Sequence, residues 1–362
     1  MAKRALTRVG KGPDFVFLAA VVILVVFGLI MLASASSDLG KIKFNDSNYY
    51  LKRQLMYGLG LGILGFLIGL FIHYKKWQKL AVPLLGISIL LLVLVFSPFG
   101  FKAGGANRWL NFGPVLFQPA ELLKITFIIY LAAWLSKRKE RQSSFWEGFL
   151  PFLAVVALIT GLIFMQPATT IAVVIVAASL IVYFVSGLKM RYVVGFSSVM
   201  VLMIALFVVA GPAYRLERVK NLTSGFHREQ ALMAIGSGGG LGVGYGNSTN
   251  KYNFLPEPIG DSIFAVIAEE LGFAGAIFLI VLFAVILIRG VQIAANCRDQ
   301  FSRLVVIGFV SIITIQAIIN IGSISGLLPL TGMPLPFVSY GSSSLAIFLT
   351  MAGIIGNISK NT

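Results

Sequence analysis

The chain has 362 residues, 58% of them hydrophobic and only 12% charged, with a mean hydropathy of +0.92. A soluble domain carries about 25% charged residues, so the composition excludes an ordinary water-soluble protein and points to membrane spans. The net charge of +16 is not a nucleic-acid signature, because the basic residues fall between apolar stretches, the usual place of orientation signals facing anionic lipid.

Apolar stretches long enough to span a bilayer recur along the sequence and predict an all-α polytopic membrane protein, a single domain over 1–362. A porin-like barrel would need short alternating strands instead. Ten transmembrane helices are expected, near 15–35, 55–73, 79–97, 118–135, 149–166, 168–185, 191–211, 261–288, 303–323 and 338–357. The first run, Phe15 to Leu32, is long enough to span, and no small-residue cleavage site follows it, so no removable signal peptide is expected. Gln166-Pro167 leaves almost no loop between the fifth and sixth spans, which fits a tight turn or a broken helix. Lys3, Arg4, Arg8 and Lys11 precede the first span, Lys75, Lys76 and Lys79 follow the second, and Lys137, Arg138, Lys139 and Arg141 follow the fourth. This basic excess on one side predicts that both termini are cytoplasmic. The connection at 212–260 then forms a large extracytoplasmic loop between the seventh and eighth spans, on the same side as 36–54, 98–117 and 324–337. These segments are rich in Gly, Pro, Asn and Ser, so the working face is expected to be outward.

The stretch from Asn253 to Gly272 carries four carboxylates, Glu257, Asp261, Glu269 and Glu270, at the edge and interior of an apolar helix. Acids placed there are costly and mark a polar site. Asp261, after Pro258-Ile259-Gly260, is either a first-turn carboxylate satisfying free backbone amides or a general base whose pKa is raised by desolvation. Glu269 and Glu270, a little over two turns further in, are read as partners for other buried polar groups. The run from Gly236 to Gly246 lacks the Lys-Ser/Thr of a phosphate loop and reads as a segment built for close backbone approach. Lys251, Arg215, Arg218 and Arg228 are solvated loop charges or cations for a diphosphate-bearing substrate. Arg108, beside Trp109, is a phosphate clamp or an interfacial anchor. Glu121 and Lys124, spaced i,i+3, read as an internal pair. A lone Cys297, with His73 and His227 on opposite predicted sides, gives no metal-ligand set.

Several of these segments form an ordered series of motifs: Asn107-Arg108-Trp109-Leu110, Gln118 to Lys124, Ala234 to Gly240, Leu255-Pro256-Glu257, Asp261 to Ala265, Ala268 to Gly272, and Gly332 to Ser344. Together they resemble the signatures of the shape, elongation, division and sporulation (SEDS) family, over nearly the whole chain from Met31 onward. The resemblance implies a ten-span peptidoglycan glycosyltransferase of the bacterial cytoplasmic membrane. Such a protein polymerises lipid II outside the membrane into a glycan linked to undecaprenyl diphosphate, beside a class B penicillin-binding transpeptidase. Gly244-Tyr245-Gly246-Asn247-Ser248 with Lys251 and Glu257 resembles the division branch more than the elongation branch, which implies other division proteins as partners and the septum as location. The family's essential aspartate maps on Asp261. Its partners map on Arg108, Glu121, Lys124, Lys251 and Glu257, with Arg215, Arg218, Ser339 and Ser342 as further substrate-binding candidates. No cofactor is implied beyond a divalent cation, Mg2+ or Mn2+, beside the diphosphate. The family often has His-Thr where this chain has Ile259-Gly260, an aspartate where it has Ala168, and Gly-Tyr-Gln where it has Gly225-Phe226-His227-Arg228. A lipid II flippase, the main rival, would spread polar residues through the midplane and show related halves. A non-catalytic scaffold for division proteins would not need the intact acid.

Overall fold

The computed structural model describes residues 12–103, 106–111, 113, 116–137, 145–166, 168–187, 195, 225–252 and 255–362. Among them, eight helices are long and apolar enough to cross a membrane. In chain order the helices are α1 (Phe15–Phe44), α2 (Tyr49–Phe71), α3 (Tyr74–Leu94), α4 (Pro119–Lys137), α5 (Trp146–Met165), α6 (Thr169–Val185), α7 (Phe226–Ser237), α8 (Ile263–Asn296), α9 (Gln300–Ile324) and α10 (Ser342–Ser359). α6 is apolar but has 17 residues, and α7 is short and lies in the long connection. The span expected at 191–211 lies outside the described residues, as do most of the residues from 188 to 224.

The sequence predicts an all-α protein, and here the structure differs. Residues 100–117 form a three-stranded antiparallel sheet of β1 (Gly100–Ala103), β2 (Ala106–Asn111) and β3 (Leu116–Phe117), with Gly100 opposite Leu110 and Leu110 opposite Phe117. Closely spaced strands on a tight chain satisfy their backbone groups with each other, which an extended loop between two spans cannot do.

α1 also exceeds its expected end at 35. Asp14 caps its start by accepting from the Phe17 amide at 2.9 Å, and Asn45, in the left-handed conformation (φ 54°), closes its end. Thirty residues at 1.5 Å each reach about 45 Å, longer than the roughly 30 Å hydrocarbon layer.

α4 and α10 form the centre, each burying 78% of its spanning window, whereas α2 and α3 bury only 22%. The outer faces of α2 and α3 are leucine, isoleucine and phenylalanine, a surface that lipid solvates and water does not. α2 and α10 pack through small residues. A Cβ on Gly69 would sit 2.7 Å from the Ile354 amide nitrogen, and one on Gly353 would strike the Phe66 carbonyl. Such contact brings backbones together where apolar burial gives no drive between helices.

Candidate active site

α8 is interrupted at Gly272, whose φ of 66° and ψ of −163° lie outside the helix. In a continuous helix the Phe273 and Ala274 amides would bond the Glu269 and Glu270 carbonyls. Here the glycine-rich loop takes both sets of groups. Phe273 and Ala274 donate to the carbonyls of Gly239 and Gly240 at 2.9 and 3.2 Å, while Val243 and Gly244 donate to the carbonyls of Glu269 and Glu270, both at 3.0 Å. The loop backbone can enter the break only where side chains are missing. Gly242 (φ 83°) faces the Glu270 carbonyl so closely that a Cβ would strike it, and would lie 2.6 Å from the Gly272 nitrogen. The glycines therefore serve backbone approach, and the four groups freed by the break are all satisfied.

The two acids ahead of the break bind the rest of this loop. Glu269 accepts from Ser248 Oγ at 2.6 Å, the Thr249 amide at 3.0 Å and Asn250 Nδ2 at 2.9 Å. Glu270 accepts from Ser34 Oγ of α1 at 2.6 and 2.8 Å and forms an ion pair with Lys251 Nζ at 2.8 Å.

At the other end of this half-helix lies Asp261, ahead of the span and half-buried. The turn that presents it closes on Glu257, whose carbonyl accepts from the Gly260 and Ser262 amides at 3.0 and 3.3 Å, and which holds a left-handed φ of 47°. Three further contacts seat the turn. Asn320 Nδ2 of α9 donates to the Asp261 carbonyl at 2.8 Å and to the Met333 carbonyl at 2.6 Å. Ser339 Oγ donates to the Gly260 carbonyl at 2.6 Å, and the Tyr340 amide to the Ile259 carbonyl at 2.8 Å. One oxygen of the Asp261 carboxyl is left open: Oδ1 is buried with no hydrogen-bond partner among the described residues. Gly332 faces Oδ2, and a Cβ there would sit 3.7 Å from it. Burial, and then the neighbouring Glu257 carboxylate, pushes the Asp261 carboxyl up to about 6. A carboxylate with an uncommitted oxygen and a pKa near neutrality has the attributes of a general base.

The other expected site residues are distributed unevenly. Glu257 lies beside Asp261 and is exposed. Ser339 supports the Asp261 turn and also accepts from the Leu335 amide at 2.8 Å, while Ser342 opens α10 just beyond it. Arg108, on β2, donates to the Gln166 carbonyl at 3.1 Å. Gln166 in turn bonds the Leu92 carbonyl, and Thr170, just past Ala168, bonds the Thr331 carbonyl beside Gly332. The sheet therefore stands at the same end of the bundle as Asp261. Glu121 and Lys124 face each other at 2.8 Å, both buried, and Lys124 also donates to Gln316 Oε1 at 2.8 Å. Lys251 is where the geometry corrects the sequence. Its side chain is 2% exposed and the three ammonium hydrogens are used by Glu270, Ser34 Oγ at 3.0 Å and the Gly246 carbonyl at 2.8 Å, so it has no donor left for an anion. Arg215 and Arg218 lie outside the described residues.

Three participants escaped the sequence reading. His227 of α7 contacts Ser262 Oγ at 2.8 Å, Asn320 holds the base's carbonyl, and Gln54 accepts from the Gly341 amide at 3.1 Å. Asn320 is a polar residue inside an expected apolar span, a signal in itself. Gln54 ends the expected loop at 36–54 and reads as solvated, and His227 is marked only by its departure from the family's Gly-Tyr-Gln.

The comparisons with known proteins follow the same chain-long pattern. The family model described as "Cell cycle protein", covering FtsW, RodA and SpoVE, matches residues 15–362. A probable peptidoglycan glycosyltransferase FtsW of Trichlorobacter lovleyi is 38% identical over 355 residues, covering 96% of this chain and 93% of the relative. Stage V sporulation protein E of Bacillus subtilis is 36% identical over 364 residues, covering 98% and 99%. Among solved structures, a chain from work on the coordination of polymerization and crosslinking by a peptidoglycan synthase complex aligns with a TM-score of 0.82 at 29% identity, covering 96% and 98%. The rod shape determining protein RodA of Thermus thermophilus aligns at 0.71 with 29% identity, covering 96% and 97%. With a bundle of apolar helices and a match from the first span to the last residue, this chain is an integral membrane protein of the FtsW/RodA/SpoVE family.

Proposed function

We propose that this chain is a peptidoglycan glycosyltransferase of the FtsW type, polymerising lipid II at the outer face of the bacterial cytoplasmic membrane during septal wall synthesis. The observation that carries the reading is the Asp261 carboxyl, half-buried, open at Oδ1 and raised to about 6. The 4-hydroxyl of a lipid II sugar attacks the anomeric carbon of the growing glycan, and Asp261 takes the hydroxyl proton. The bond from that carbon to the lipid diphosphate breaks, and the diphosphate leaves with the electron pair. One base opposite one leaving group makes this a single displacement with inversion, with no second carboxylate needed for a covalent intermediate. Arg108, at the same end of the bundle as Asp261, meets the diphosphate, and Arg215 and Arg218 are proposed as further cations for it. Among the described residues no group of three or more His, Cys, Asp or Glu side chains is suited to hold a metal. Asp261 keeps its open oxygen for the proton, so a divalent cation beside the diphosphate would be held by substrate phosphate oxygens and water, and would supply charge neutralisation there.

The reading includes ten spans, cytoplasmic termini, an extracytoplasmic connection at 212–260 and a class B transpeptidase as partner. The relatives' names and the synthase complex support it. A flippase would also use a discontinuous helix, but with the freed backbone at the substrate. Here the glycine loop consumes the groups that the break in α8 frees. The test is polymerisation of labelled lipid II by the purified chain with and without a class B transpeptidase. Near-normal glycan synthesis by Asp261→Asn overturns the assignment.

A further inference from the structure

Ser262 immediately follows the proposed base and carries a hydroxyl with one hydrogen. That hydrogen is committed, since Ser262 Oγ donates to the Pro256 carbonyl at 2.7 Å. The 2.8 Å contact between Ser262 Oγ and His227 Nε2 therefore requires the imidazole to be the donor, with its proton on Nε2. The tautomer follows from the serine's own bond. It holds in both charge states, because the imidazolium keeps the Nε2 hydrogen.

Pro256, Glu257 and Ser262 are the points at which the 256–262 turn closes on itself. Ser262 contributes two of these closures, through its hydroxyl and its amide, and His227 is the group outside the turn that holds the hydroxyl. The next residue on α7 holds the opposite wall. Arg228 Nη2 donates to the Gly326 carbonyl at 2.9 Å, and a Cβ on Gly326 (φ 77°) would lie 2.9 Å from the guanidinium. That loop leads to Gly332, which faces Asp261 Oδ2. The start of α7 thus bridges the two loops between which the carboxyl sits.

We propose that His227 is a positioning residue for the Asp261 base, acting through Ser262 by an Nε2–H hydrogen bond that fixes the turn presenting the carboxyl. The inference rests on the reading of Asp261 as the base. Burial lowers the His227 imidazole's affinity for a proton, against the opposing pull of Glu257, and the Nε2–H bond to Ser262 is available in either charge state. Glu257 is the charged group facing the imidazole, and Asp261 adjoins the hydroxyl it holds.

The experiment uses the full chain co-purified with its transpeptidase partner, labelled lipid II as substrate, and kcat and KM measured from pH 5 to 8. His227→Leu removes the donor, His227→Gln restores an N–H at similar reach, and Ser262→Ala removes the acceptor. His227→Leu is expected to lower kcat by about 10- to 100-fold, the scale of a slightly misplaced catalytic group. Its KM should stay within about threefold, since the residue acts on the base and not on substrate binding. The acid limb of the pH profile should move below its wild-type position, because a released turn lets water reach the carboxyl. His227→Gln is expected to recover most of kcat and the wild-type limb, and the His227→Leu/Ser262→Ala double variant to be no slower than the worse single. Wild-type kcat and acid limb in His227→Leu would overturn the inference, as would no recovery by His227→Gln in folded protein, or losses that multiply in the double variant. If His227→Leu does not fold, His227→Gln and Ser262→Ala decide alone: the glutamine must work and the alanine must show the lowered kcat and shifted limb. Asp261→Asn run alongside separates the two ideas. If it is inactive while His227→Leu is normal, only the positioning role fails; if it polymerises normally, both fail.

Discussion

Replacing Lys251 by methionine decides whether its ammonium supports the fold or meets the substrate. The Lys251 and Glu270 side chains are 2% and 0% exposed, so neither charge can turn to solvent when the other is removed. Methionine keeps the packing of the stem but leaves the Glu270 carboxylate with Ser34 Oγ as its remaining side-chain donor. Breaking a buried pair from one side costs about 3–5 kcal/mol. Because Ser34 still donates, the low end applies, about 3 kcal/mol, or roughly two powers of ten in the folded-to-unfolded ratio. Glu270→Gln alone strands the ammonium and should cost a similar amount. The double change Lys251→Met/Glu270→Gln removes both charges and should recover about 1–3 kcal/mol relative to the sum of the singles. Thermal unfolding in detergent, followed by the monodisperse fraction, measures this, and lipid II polymerisation by the same preparations gives the functional half. A stable and active double variant makes Lys251 a support. A stable but inactive one returns it to the substrate. Additive losses in stability, or a single variant as stable as wild type, would refute the buried-pair reasoning itself.

The pKa of Asp261 sets two further outcomes. Polymerisation should fall as pH drops through about 6, where the base takes up its proton. Because the folded value lies above the ordinary 3.8, the stability this group contributes is full below pH 3.8 and lost as pH rises through about 6. Asp261→Asn should therefore melt higher than wild type at pH 7–8, by up to about 3 kcal/mol, while polymerising about 10²- to 10⁴-fold more slowly; equal melting at all pH values would refute the raised pKa. Neutralising Glu121 or Lys124 singly should damage thermal stability more than the double change does, since each single leaves one buried charge unmatched; additive losses would show that the two act apart. For orientation, a cysteine in place of Leu241, 86% exposed, should react with an impermeant thiol reagent in intact cells, in a chain whose Cys297 has first been replaced. One in place of Lys76, also exposed, should react only after permeabilisation, and labelling of both from outside would overturn the proposed span count.

What could be read in the sequence and what could not divides by the range of the interaction. Hydropathy finds the spans because each is a local property of some twenty residues. The Glu121–Lys124 pair is legible because its members lie one turn apart on one helix. The glycine run announces close backbone approach, but not that it enters a break at Gly272. Leu271-Gly272-Phe273 carries no proline, and the groups that satisfy the break come from some thirty residues earlier. Lys251 sits among Gly, Asn and Ser, so it reads as a solvated cation; its burial depends on Ser34 of α1 and Glu270 of α8, which no local pattern joins to it. The last turns of α1 read as loop because Ser34, Ser36, Ser37 and Asp38 are polar, although nothing there breaks a helix before Asn45. The small sheet at 100–117 has strands too short to show an alternating face.

These non-local contacts share one consequence for the candidate base. The break at Gly272 cuts α8 so that residues 263–271 form a separate short helix, about 14 Å long at 1.5 Å per residue. The described segment 225–252 grips both of its ends. At the start, His227 holds Ser262; at the finish, Val243, Gly244, Ser248, Thr249, Asn250 and Lys251 bond Glu269 and Glu270. Between them α7 runs for about 18 Å and ends at Gly238, where a Cβ would strike the Ala268 carbonyl. A helix of two and a half turns makes too few internal hydrogen bonds to hold its own position. The 225–252 segment thus helps to set the position of Asp261 through Ser262, Glu269 and Glu270, alongside Asn320, Ser339 and Tyr340, and a shift at either end of that segment would move the short helix that follows the carboxyl.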